Sequence, residues 1–150
     1  MGASGWHYYA AYDDDLSVVL AELHRSVLES RDYYWGGDDE DRPSTFAELT
    51  EMFEDEDFED VASEGTHSIL DIDQMLPAGS PDDFGAVVAL SPDEVVTAFG
   101  SSTPTRAQFD EVYRNGQDLI ADFPRWSGRF TTLYEDARPT ALVFWGYSGD

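Results

Sequence analysis

The sequence contains no cysteine and no lysine. Without cysteine, a disulfide framework and thiolate metal sites are excluded. Without lysine, Schiff-base chemistry and covalent attachment of pyridoxal phosphate are excluded. Long apolar runs are also missing. The longest, such as residues 141–145, fall far short of the roughly 20 residues that span a bilayer. Residues 1–6 have neither the basic start nor the apolar stretch of a secretory leader. A cytoplasmic location is therefore expected. Positive charge is scarce: eight arginines stand against 32 acids, for a net charge of −24. Such a surface repels nucleic-acid phosphates and anionic lipid heads, so neither direct nucleic-acid binding nor membrane attachment is expected.

Catalytic signatures are equally thin. There is no G-x-S-x-G elbow, no phosphate-binding P-loop and no 12-residue calcium loop. His7, His24 and His67 lack the spacing of a zinc site. Lone acid pairs carry no weight where acids are so abundant. Asp71 and Asp73, on one face of an expected strand, are only a weak pointer to a divalent ion. No catalytic residue, metal ligand or cofactor is assigned.

What the chain does have is material for one core. At 150 residues, 41% hydrophobic, with four tryptophans, eight tyrosines and nine phenylalanines, it suits a single domain over residues 1–150. Aromatic alternation over residues 5–11 predicts a strand. The aspartates at 13–15 then cap an amphipathic helix over 15–30, with Leu16, Val19, Leu20, Leu23 and Val27 at helical spacing. Residues 31–43 read as a loop. Thr45 and Glu48 open a short helix with Phe46, Leu49, Met52 and Phe53 as its apolar stripe, and residues 54–64 continue as a frayed turn or loop. A second strand is expected over 66–72, and a third over 86–90. Ser91, Pro92 and Glu94 start a helix that Gly100 ends. Another helix is expected from Thr103 and Pro104, burying Phe109, Val112, Tyr113, Ile120 and Phe123. A hairpin of 129–135 and 140–147, turning at 136–139, closes the chain. Because no regular alternation of strand and helix appears, the expected fold is α+β: a mainly antiparallel sheet of about five strands with three to four helices packed on it.

The charge is concentrated. Half of the net charge lies between Asp38 and Glu64, where thirteen acids accompany one arginine, Arg42. Dense like charge opposes folding, so its retention in one segment suggests use. The leading expectation is an acidic interaction protein for a basic protein partner. It would act as an immunity-type mask of a cationic toxin or nuclease, or as a mimic of nucleic-acid charge. The docking residues would be Asp38, Asp39, Glu40, Asp41, Glu54, Asp55, Glu56 and Asp57, with Tyr34 and Trp35 as apolar anchors. One alternative is a small enzyme or ligand-binding domain with a pocket of His67, Trp126, Arg129 and Trp145. Another is a generic acidic domain adapted to high salt.

Overall fold

The alternating aromatics near the start form β1 (Gly5–Ala11), in a computed structural model that describes residues 4–116 and 123–149. The Asp15 carboxylate then accepts from the Ser17 amide and opens α1 (Leu16–Ser30). This helix buries Val19, Leu20, Leu23, His24, Val27 and Leu28 along one stripe and stops where Arg31 turns left-handed at φ 57°. Thr45 caps α2 (Phe46–Glu54), accepting from the Glu48 amide, while the Glu48 carboxylate reaches back to the Ser44 amide. A 3₁₀ turn at Glu56–Phe58 leads into α3 (Glu59–Glu64), so the acidic stretch after α2 is helical. After β2 (Gln74–Leu76) and β3 (Ala86–Ala89), α4 (Pro92–Phe99) starts with the expected capping box of Ser91 and Glu94 and ends at Gly100, φ 71°.

The next helix, α5 (Arg106–Arg114), begins later than expected. Thr105 and Gln108 form its capping box, because Ser101 and Thr103 are already tied in a turn of their own. Ile120, placed on this helix from the sequence, lies outside the described residues. The closing hairpin is β4 (Ser127–Glu135) and β5 (Arg138–Tyr147).

The sheet runs β1-β5-β4-β3-β2. It is mixed, a correction to the mainly antiparallel sheet expected. β5 pairs antiparallel with β1 and β4, whereas β3 lies parallel to both β4 and β2. For the β3–β4 pair, the α4–α5 segment is the reason. A helical crossover is what joins parallel neighbours, and it carries the chain from the end of β3 back to the start of β4. With five helices in all among the described residues, the α+β class holds while the helix count exceeds the expectation.

The helices cover both faces. On one, Trp6, Val87, Phe130, Leu142 and Phe144 pack under α1 and α2. On the other, Leu133, Val143 and Trp145 pack against Phe99 and Phe109 of α4 and α5. Each such side chain, buried from water, contributes roughly 1.5–3 kcal/mol before chain entropy is set against it. Among the described residues no helix is long and apolar enough to cross a membrane.

The second correction concerns residues 66–72, expected as a strand. Gly65 and His67 both hold positive φ, 71° and 52°, which breaks extended geometry twice in three residues. Ser68 then accepts from the Leu70 amide and starts a 3₁₀ turn at Ile69–Asp71. The short polar side chains recruit local backbone donors and win over the apolar alternation.

The hairpin turn is tighter than expected. Glu135 pairs with Arg138, leaving Asp136 and Ala137 as the two turn residues, at φ 51° and 59°. This is the type I′ geometry, which matches strand twist but strains a residue carrying a Cβ. Aspartate tolerates it better than alanine. Ala137→Gly should therefore raise stability by about 0.5–1 kcal/mol, read as a higher urea midpoint with an unchanged slope.

Candidate functional site

Local structure along residues 38–64 follows one rule: apolar side chains in, carboxylates out. Leu49 is buried, and Phe46, Met52, Phe53 and Val61 pack partly buried against the core. All thirteen carboxylate residues from Asp38 to Glu64 are exposed. The segment starts with a 3₁₀ turn at Asp39–Asp41. Arg42 follows, its Nε donating to Asp39 at 2.9 Å while its guanidinium lies over the Tyr33 ring, 5.2 Å from the centroid. Asp55 then accepts from the Asp57 amide at 2.9 Å and starts the 3₁₀ turn between α2 and α3. Arg25 and Arg129 are engaged elsewhere, by Glu22 with Glu29 and by Asp82.

The turn at 39–41 and the outer face of α2 enclose an open cleft of about 260 Å³, lined by Asp41, Arg42, Pro43, Glu48, Glu51, Met52 and Asp55. Four carboxylates thus face one concave surface whose floor is part apolar. Asp41 and Asp55 were anticipated from the sequence. Glu48, Glu51 and Met52 were not, although positions 48, 51, 52 and 55 fall on one face at helical spacing, and that periodicity was the available signal.

The two expected aromatic anchors separate. Tyr34 is 42% exposed. Its ring stacks on His67 at 4.5 Å, its hydroxyl donates to the Glu64 carboxylate at 2.7 Å, and its amide donates to the Thr66 carbonyl. It is therefore a rigid aromatic beside the acidic segment. Trp35 is 8% exposed. It packs near Phe53 and donates its indole N–H to the Asp38 carbonyl at 3.0 Å. It holds the start of the acidic segment in place and offers little surface of its own.

Of the expected pocket residues, Arg129 and Trp145 are directly opposed partners in the β4–β5 ladder. Trp145 has no exposed surface and packs on Phe109, 5.2 Å between ring centroids, within the α4–α5 side of the core. Arg129 pairs with Asp82 at 2.5 Å and lies over Phe123. Trp126 lies flat against Gly65 and Gly149, and a Cβ at either glycine would overlap its indole. It is a packing peg that ties the end of α3 to the end of β5. His67 stands in the turn before the 3₁₀ segment, on Tyr34. Among the described residues no group of three or more His, Asp or Glu is placed to hold a metal ion.

The buried polar groups have structural work. Asp71 accepts from the Thr66 amide and hydroxyl at 2.8 and 2.9 Å, and Thr66 shares a hydrogen bond with Ser68. Burial holds the Asp71 carboxyl above its ordinary pKa. His24 on α1 stacks on Phe46 of α2 at 3.9 Å. Its Nε2 meets the carbonyls of Ile72 and Ile69 at 2.8 and 3.2 Å. Two acceptors at one nitrogen require the proton there, and the ring joins three segments. Burial lowers its pKa to about 4.

No family model, curated protein or solved structure matches the chain.

The histidine sets a pH dependence. As pH falls below 6.5 the unfolded chain takes the proton first, and the folded chain follows near pH 4. Across that window His24 removes stability on the order of 3 kcal/mol. Asp71, whose pKa is raised by folding, acts with the opposite sign and regains stability on acidification. A His24→Gln variant, which keeps an N–H donor without titrating, should be less stable at neutral pH. It should also lose less between pH 6.5 and 4 than the parent, as measured by urea unfolding across the series.

Proposed function

We propose that the protein is an acidic docking protein for a basic protein partner, acting as an inhibitor that masks a cationic toxin or nuclease surface. One observation carries the reading: thirteen exposed carboxylates in a 27-residue segment on a helical scaffold, with Arg42 the one basic residue among them. Such a surface attracts a cationic partner over distance and accelerates encounter. Exposed charge alone confers mainly rate, because solvated ion pairs are individually weak. Tyr34, fixed on His67 at the border of the segment, supplies the aromatic contact on which affinity depends. The cleft under Asp41, Glu48, Glu51 and Asp55 suits the long apolar stem and charged head of an arginine or lysine.

Capture from native lysate at low ionic strength, repeated in about 1 M salt where the Debye length falls to about 3 Å, tests the reading. A basic protein should be retained at low salt and released at high salt. Replacing Asp38, Asp39 and Asp41 by asparagine and Glu40 by glutamine should slow association about tenfold or more with dissociation nearly unchanged. Tyr34→Ala should do the reverse. A chain with no salt-sensitive basic partner would be a generic acidic domain.

A further inference from the structure

The sheet has two edges, β1 and β2, and they are treated differently. β2 is three residues long and is followed by Pro77, a combination that blunts an edge against further pairing. β1 is seven residues long, Gly-Trp-His-Tyr-Tyr-Ala-Ala, with no charge and no proline. Its register with β5 runs unbroken from Gly5↔Tyr147 to Ala11↔Ala141, without a bulge. The ladder continues at both ends through Tyr12 N–H to the Thr140 carbonyl and Ser148 N–H to the Ser4 carbonyl. Even-numbered β1 residues therefore bond inward, and the N–H and C=O groups of Gly5, His7, Tyr9 and Ala11 point outward. Among the described residues no strand lies beyond them.

The charge around this edge is mostly negative. Asp13, Asp14 and Asp15 stand exposed just past its end. Asp110 on α5 accepts from the Tyr9 hydroxyl, and Asp32 is close enough to Tyr8 to help raise its pKa. Arg106 is the local cation and is spread over the Tyr9 ring at 3.7 Å, while His7 packs on Tyr113. Building on the docking function proposed above, we propose that the basic partner contributes an extended segment that adds to β1 as a sixth strand. Main-chain hydrogen bonds to the outward groups would hold it, and its arginine or lysine side chains would reach the flanking aspartates. A second copy of this chain fits the edge poorly, because each copy carries a net charge of −24.

Residue-resolved amide exchange with a synthetic peptide of alternating arginine and valine tests this. The outward amides of His7, Tyr9 and Ala11 should become protected about tenfold or more, while those of Tyr8 and Ala10 are already protected in the free protein. His7→Pro removes one outward donor without touching the β5 ladder. It should weaken peptide binding about tenfold, with protection at Tyr8 and Ala10 reporting that the fold persists. Salt-sensitive peptide binding with no change at His7, Tyr9 and Ala11 would overturn strand addition and leave the docking function standing. No binding at low salt would overturn both. Protection of the outward amides in the free protein that grows with its own concentration would assign the edge to a second copy and overturn the proposal.

Discussion

A chain with a net charge of −24 folds only if its carboxylates stay in water while its apolar surface leaves it. Every other feature of the structure answers to that separation. The five-stranded sheet buries Phe144 and Leu142 on one face and Trp145 and Val143 on the other. Within the acidic segment, Trp35, Leu49 and Phe53 tie α2 and its flanks to the core, so the carboxylates between them are held outward by packing. Asp71 is the departure from the rule. Its buried carboxyl accepts two hydrogen bonds from Thr66 and so fixes the turn that carries His67, on which Tyr34 stacks.

Where local chemistry and the global fold agree, the sequence was legible. The aspartates before α1, Thr45 before α2 and the Ser91–Glu94 box before α4 each sit where their side chains meet orphan amides. The aromatic alternation of β1 and the closing hairpin were equally readable. Strand direction was not, because it depends on the α4–α5 crossover returning the chain to the start of β4, a tertiary event with no local signature. Residues 66–72 misled for a different reason. Their apolar alternation resembles a strand, but Ser68 and Asp71 compete for backbone donors and impose a turn.

The candidate site shows the same division. That the acids of 38–41 and 54–57 would be exposed followed from charge alone. That Glu48 and Glu51 would join Asp41 and Asp55 around one cleft required the helical face to be read as well as the charge run. Trp35 and Tyr34 are adjacent in sequence, yet one is buried and the other exposed, Trp35 packing near Phe53 while Tyr34 lies on His67. Trp126 and Trp145, attractive as ligand aromatics in a linear reading, turn out to be packing elements. A single sequence does not distinguish an aromatic that fills a core from one that faces a ligand.

If the carboxylates between Asp38 and Glu64 form one self-repelling surface, the fold holds them together at a cost that salt relieves. The direct measurement is the unfolding free energy of the parent chain, and of a variant with residues 38–41 and 54–57 converted to asparagine and glutamine, over a range of salt concentrations. The account predicts that the variant is the more stable at low salt and that the difference shrinks as salt rises. Equal stability of the two at low salt, or a difference independent of salt, would contradict it.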